Sequence, residues 1–293
     1  MIEDIINMIF NGTLNGAVLS LIALGYSLVY GVGGIMNLAH GAYFMLAGYL
    51  LLWGLPIFPD FLILSVIFAI VIVTIIGGLT YILLIKPLQD SHVGVVLVTF
   101  GLAFAIEQFV LIFYGTDSIA ISDYVLFSGT TEVLGYSMAN QFIFFIIMSI
   151  VIVSLFALFI SKSKLGKSIR AVSQDREAAV LMGINANRVL LYTVMISAFL
   201  AALGASLYLP GAALSGPSMA WTYLTSSFAV IILVGMGSLV GSVAGGYAVG
   251  FITSFTSIFI PNGPSWAHVV PLIVIIIVLV IRPQGLFGKK EIK

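Results

Sequence analysis

Residues 161–188 read SKSKLGKSIRAVSQDREAAVLMGINANR, a polar stretch in an otherwise apolar chain. They hold six of its eleven Lys and Arg: Lys162, Lys164, Lys167, Arg170, Arg176 and Arg188. Apolar runs flank this stretch, each about 20 residues long, enough to cross a hydrocarbon core of ~30 Å at ~1.5 Å per residue. A Lys or Arg at the centre of a spanning helix costs about 2.5–3.5 kcal/mol, so a chain that gathers its cations in one segment holds that segment on one side of the bilayer. Such a segment is where a partner on that side would be met.

Working outward, nine apolar segments are read at roughly 12–34, 37–55, 58–84, 93–114, 139–161, 188–209, 222–237, 241–259 and 268–281. With 61% hydrophobic and 8% charged residues, a chain of 293 residues has too little polar surface for a water-soluble globule. The expectation is an all-α polytopic membrane protein, with residues 1–293 forming a single transmembrane domain. Residues 1–11 carry Glu3 and Asp4 but no Lys or Arg, so they lack the basic start of a cleaved signal peptide. With no cysteine, the chain has no disulfide, thiolate metal site or thiol nucleophile. A net charge of zero argues against nucleic acid as a partner.

If the chain begins outside and crosses nine times, all eleven cations fall inside: Lys86, the six of residues 161–188, and Arg282, Lys289, Lys290 and Lys293. Six of the eleven acids, Glu3, Asp4, Asp60, Asp117, Asp123 and Glu132, then fall outside. An even number of crossings would put cations on both faces, so the expected orientation is N-terminus out and C-terminus in. The longest outer loop, 115–140, includes Tyr124-Val125-Leu126-Phe127 and suits a small hairpin. It would either receive a soluble delivery protein or cap the helices.

Two turns, 31–37 and 235–241, lack charge and are rich in glycine. Non-helical backbone at membrane depth persists only where it packs in protein or lines a wet cavity. Gly235 and Gly237 therefore join the candidate pathway residues, with tight packing of helices at small residues as the alternative. Laid at an offset of 204, the two regions share Gly31/Gly235, Gly33/Gly237, Gly41/Gly245 and Tyr43/Tyr247, compatible with a parallel repeat. Residues 210–217, with a proline at each end, read as a further break, an outer loop or a re-entrant one.

Enzymatic motifs fail. Gly166-Lys167-Ser168 resembles the end of a phosphate-binding loop, but the required upstream glycine is replaced by Ser161 and an apolar helix precedes it. Gly235-Met236-Gly237 is no dinucleotide fingerprint, because the next glycine, Gly241, comes one residue late. Zinc-protease and serine-hydrolase signatures are absent from the sequence.

Within 161–188, Asp175 is a good N-cap, Glu177 suits a first turn, residues 178–182 favour helix and Gly183 fits the position just past a helix end. A helix of two turns follows, too short to stand alone. Ala178, Ala179 and Met182 are small or flexible enough to enter a groove on another protein. The alternative is a surface helix tucked under its own bundle.

The pattern Gly166-Lys167-x-x-Arg170-Ala171, then Asp175-x-Glu177-Ala178-Ala179, then Met182-Gly183-Ile184-Asn185 resembles the cytoplasmic loop of permeases of the branched-chain amino acid ABC importer family. Three further stretches agree in order: Gly34-Ile35-Met36-Asn37-Leu38-Ala39-His40-Gly41, Lys86-Pro87-Leu88 leading to Thr99-Phe100-Gly101-Leu102, and Arg282-Pro283-Gln284-Gly285-Leu286-Phe287-Gly288. They are most similar to the LivH-type subunit. The resemblance implies an ABC importer permease fold in the inner membrane. It also implies a second, paralogous permease or a second copy, two cytoplasmic ATPases carrying the ATP and Mg, and an extracytoplasmic solute-binding protein. It makes Asp175 to Gly183 the coupling helix. The chain itself would hold no cofactor and no metal and would not be an enzyme. Leucine, isoleucine and valine are the expected cargo, with urea, short amides and other amino acids as alternatives.

Polar residues inside apolar runs complete the candidate pathway. Asn37 and His40 share a helix face with Gly41 beside them. They would line the inner end of the path, or His40 would be a neutral imidazole bonded to a carbonyl. Glu107, with Gln108 next to it, is the only carboxylate deep in an apolar run and lies about 21 Å along a helix starting near Val93. Thr99 and Gly101 lie one to two turns further in. His92 and His268 sit at interfaces. A self-sufficient carrier or channel would need several intramembrane acids for an ion or proton relay, and only Glu107 is available.

Overall fold

A computed structural model describes residues 2–59, 61–121, 125–133, 135–267, 269–282 and 284–287. Asp60, Asp123, Tyr124, His268, Pro283, Gly288, Lys289, Lys290 and Lys293, invoked above, lie outside the described residues. The elements are α1 (Ile2–Gly33), α2 (His40–Gly54), α3 (Leu62–Thr80), α4 (His92–Tyr114), β1 (Thr130–Val133), β2 (Tyr136–Ala139), α5 (Asn140–Lys162), α6 (Lys164–Gln174), α7 (Arg176–Leu181), α8 (Ala186–Ala212), α9 (Met219–Val234), α10 (Leu239–Phe259), α11 (Gly263–Trp266) and α12 (Val269–Ile281). α3 continues through a wide turn, Tyr81–Ile85, and a tight one, Lys86–Leu88.

Each of the nine expected apolar segments coincides with a helix: α1 to α5, α8 to α10, and α12. Six helices among the described residues are long and apolar enough to cross a membrane. α9 and α12, with 16 and 13 residues, reach only about 24 and 20 Å, and α2, with 15, about 22 Å. α2 is short because it is enclosed: it packs against α3, α4, α8 and α9, and thirteen of its residues are buried. The outer faces of α3 and α5 are the opposite, presenting Ile63, Ile67, Ile75, Ile147, Leu155 and Leu158 as lipid-facing side chains do.

α1 and α10 form the closest helix pair. Small residues recur every fourth position on both, Gly12, Gly16 and Ser20 against Gly246, Gly250 and Ser254, which stacks them on one face. A methyl group added at Gly250 would lie 2.3 Å from the Gly16 nitrogen, and one at Gly246 2.6 Å from that of Ser20. The Ser20 hydroxyl donates to the Val243 carbonyl at 2.9 Å. With lipid as apolar as any side chain, this close backbone approach is what holds membrane helices together.

Three boundaries differ from expectation. α1 starts at Ile2, some ten residues early, and its first turns rest on the hairpin of β1 and β2, where Phe10 and Tyr136 rings lie 5.9 Å apart. α8 runs through Pro210 to Ala212, since in the last turn the ring costs only the bond to the Ser206 carbonyl. The chain breaks three residues after the expected proline, and Leu214 then pairs with Ile119, five residues past the end of α4, through bonds of 2.9 and 2.8 Å. Finally, residues 164–174 form a full helix, α6, where only a loop was expected. Ser163 caps it by accepting the Gly166 N–H at 2.8 Å, and Ile169 and Val172 turn inward.

Candidate functional site

Two groups of candidate residues fall in different places. The first surrounds the start of α2. After Gly33 the chain folds back alongside α1, so that His40 lies level with Ile22, eleven residues or about 16 Å before the end of α1. Residues 34–39 are thus non-helical backbone at membrane depth, where polar groups need partners; four N–H groups at and beside them find one, while the buried Asn37 Nδ2 has none among the described residues. The Gly34 N–H donates to the Tyr30 carbonyl, Leu38 N–H to the Thr99 hydroxyl at 3.1 Å, Ala39 N–H to Asn37 Oδ1 at 3.1 Å, and His40 N–H to the Asn37 carbonyl.

His40 is fully buried between α1 and α8. Its Nε2 lies 2.9 Å from the Ile22 carbonyl, which can only accept, so Nε2 carries the proton and Nδ1 accepts the Ser197 hydroxyl at 3.1 Å. Gly41 admits α9, because a methyl group there would meet the Ala220 carbonyl at 2.3 Å. Thr99, also buried, donates to the Val95 carbonyl at 2.8 Å while accepting Leu38. Asn37, His40, Gly41 and Thr99 are therefore brought together, and apart from the Ser197 hydroxyl on His40 their hydrogen-bond partners are backbone groups. Gly101 is not among them; it stands on an exposed face of α4 with nothing within 4 Å of an added methyl.

The glycine turns meet one another. A methyl group on Gly31 would lie 3.2 Å from the Gly237 α-carbon, and both Gly235 and Gly237 have positive φ, 97° and 88°. Gly235 is backed by Gly285, while Leu286 and Phe287 donate to the Leu233 and Val234 carbonyls at 2.9 and 2.7 Å, closing the end of α9.

Glu107 stands apart from both. Its Oε2 accepts the Trp221 indole N–H at 2.5 Å, which ties α4 to α9, and the Trp221 ring lies tilted against Phe100 with centroids 5.2 Å apart. Gln108 is half-buried beside it.

The second group is the segment 161–188. All six of its cations are exposed at the end of the bundle opposite the hairpin. Arg170 donates to the Ile160 and Ser161 carbonyls and closes the end of α5, and Gly166 lets α6 turn against α5, since a methyl there would sit 2.4 Å from the Ile160 carbonyl. Ala171 is half-buried on α6. Asp175 caps α7 by accepting the Ala178 N–H at 2.9 Å. At the other end Gly183, φ 84°, donates to the Val180 carbonyl and Ile184 to that of Ala179, which together satisfy two carbonyls of the last turn.

α7 is thereby fixed by its own caps, and it sorts its residues sharply. Ala179 is 5% exposed and packs inward, whereas Leu181 and Met182 are 87% and 83% exposed, with Val180 beside them at 52%. Glu177 and Ala178 are exposed on the same short helix. Of the three residues expected to enter a groove, Ala179 faces the wrong way. Val180 and Leu181, not among the three, are exposed beside Met182, so the outward face of α7 is a Val-Leu-Met run beside a charged turn.

The family model described as "Branched-chain amino acid transport system / permease component" matches residues 8–279. The chain is 28% identical to the high-affinity branched-chain amino acid transport system permease protein BraD of Pseudomonas aeruginosa, over 98% of this chain and 97% of that protein. It is 27% identical, with the same coverage, to the permease protein LivH of Escherichia coli K12. Among solved structures, PsaBC from Streptococcus pneumoniae in complex with Fab shares the fold at a TM-score of 0.50 and 15% identity, covering 94% of this chain and 92% of that one.

Proposed function

The chain belongs to the branched-chain amino acid transport permease family, and we propose that it forms half of the membrane pathway of an ATP-driven importer of leucine, isoleucine and valine. The outward-turned tip of α7 carries this reading. Two large apolar side chains held in water by a capped helix gain about 1.5–3 kcal/mol each when covered, and a helix of six residues has no stability of its own to spare. The cover is an ATPase subunit on the cytoplasmic side.

In this reading the hairpin end faces outward and receives substrate from a solute-binding protein, and the basic end faces the cytoplasm. Two ATPases hold ATP and Mg there, and a second permease completes the pathway. Closure of the ATPase pair moves α7, and α6 transmits that motion, since Gly166 and Arg170 fasten it to α5 and it also packs on α1 and α8. The chain contributes no bond-making chemistry.

The test is reconstitution. Purified from membranes, the chain brings stoichiometric ATPase subunits with it, and proteoliposomes of the whole assembly take up leucine only with binding protein and ATP. Substrate-driven uptake by the lone chain would defeat the importer reading.

A further inference from the structure

Polar side chains that face outward from a membrane domain need water, another protein or a cargo, because lipid offers them nothing. Most of the outer surface obeys this rule. One strip does not. It begins at Glu107 on α4, passes through Trp221, and continues down α9 with Thr222, Thr225 and Ser226 to Thr253 on α10.

The strip has two parts, Glu107 with its indole partner and a cleft of hydroxyls, joined along α9 through Trp221. The Trp221 carbonyl accepts the Thr225 hydroxyl at 2.7 Å, so Thr225 stands one helical turn along α9 from the residue whose indole holds Glu107. Thr222, Thr225, Ser226 and Thr253 then line a cleft of about 290 Å³ roofed by Ala267 and Pro271, near the small end of ligand sites. Glu107 lies fifteen residues from the start of α4 and Thr253 fourteen from that of α10, both about 21–22 Å from the basic end. Thr222 lies twelve residues from the end of α9, about 18 Å from it. All of them sit within the hydrocarbon thickness, away from either surface.

The groups are also available. Glu107 Oε1 has no protein donor among the described residues, nor do the hydroxyls of Thr222 and Ser226 have a partner there. We propose that this strip is a wet way-station for cargo, in which Glu107, positioned by Trp221, pairs with the α-ammonium of a free amino acid while the hydroxyls solvate its carboxylate. A conduit that is apolar elsewhere would otherwise strand both charges of a zwitterion. The inference rests on the importer reading and specifies its path.

Because the chain has no cysteine, a single replacement is its one thiol, and labelling read on this chain alone within the full assembly reports on water there. Thr222→Cys and Thr225→Cys should react with a membrane-impermeant thiosulfonate and be protected by leucine with its binding protein, while Ile150→Cys on the lipid face of α5 should not react. In proteoliposomes, Glu107→Gln should lower leucine uptake roughly tenfold or more, the loss of one charge-assisted bond, with assembly of the complex retained. Glu107→Asp should restore part of it. Cysteines as inert as the Ile150→Cys control, or wild-type uptake by the Gln variant, would overturn the proposal. A wild-type assembly that moves no branched-chain amino acid would defeat the importer reading instead. The labelling arm needs no transport and would still decide whether the cleft is wet.

Discussion

The seam between α1 and α10 and the tip of α7 use uncharged residues in opposite ways. At the seam Gly12, Gly16, Gly246 and Gly250 are there for what they lack, since only a bare backbone lets the two helices touch. At the tip Leu181 and Met182 are there for what they add, a pair of large side chains turned into water. The seam is finished within the chain; on the importer reading the tip is finished by a partner. Inside the bilayer, where burial from water offers no gain, stability comes from contact and small residues mark it. Beyond the bilayer the hydrophobic effect acts again, and an exposed apolar cluster signals an absent partner.

This contrast breaks most visibly at Gly250. Replacing it by Val forces side-chain carbons into backbone atoms of Gly12 and Gly16, which cannot rotate away, and should cost about 3 kcal/mol or more. The expected result is loss of the monodisperse peak on fluorescence-detected size exclusion after mild heating. Gly101→Val, on the open face of α4, should stay within about 0.5 kcal/mol of the parent. Equal losses at both positions would mean the seam is not a special contact. At the tip the effect should move from stability to assembly. Leu181→Ser combined with Met182→Ser should weaken ATPase association by roughly 100-fold or more, from about 1.5–3 kcal/mol per side chain, and leave the melting of the isolated chain unchanged.

How far the sequence discloses this difference depends on the scale of the signal. Length and apolarity reveal the nine helices, and Asp175 with Gly183 reveals α7, because caps are local chemistry. Leu165, Ile169 and Val172, spaced by four and three, carry the amphipathic mark of α6 too, but six cations around them make the stretch read as loop. Ala179 and Leu181 are equally plausible as docking residues until the direction of the helix is known. The pairing of Gly31 with Gly237, the packing of His40 on Ile22 and Ser197, and the bond from Trp221 to Glu107 join residues 114 to 206 positions apart, except that to Ile22. No local pattern encodes such distances.

The smallest effects bear on whether α7 acts through its shape or only through its side chains. Asp175→Ala removes the cap on the Ala178 N–H and should cost about 1 kcal/mol of local stability, seen as faster hydrogen exchange of the first-turn amides, with Asp175→Ser restoring protection. Gly183→Ala leaves every side chain of the tip in place and meets no atom within 4 Å. Its whole cost, about 1 kcal/mol, comes from forcing a Cβ into the left-handed region at φ 84°. Gly183→Asn, better tolerated there, should cost less. If the tip docks as a rigid shape, Ala at this position should slow leucine-stimulated ATP hydrolysis severalfold and Asn should do so less, although neither residue touches the partner groove through Leu181 or Met182. If both variants couple normally while the double Ser variant does not, the side chains suffice and the capped geometry is incidental.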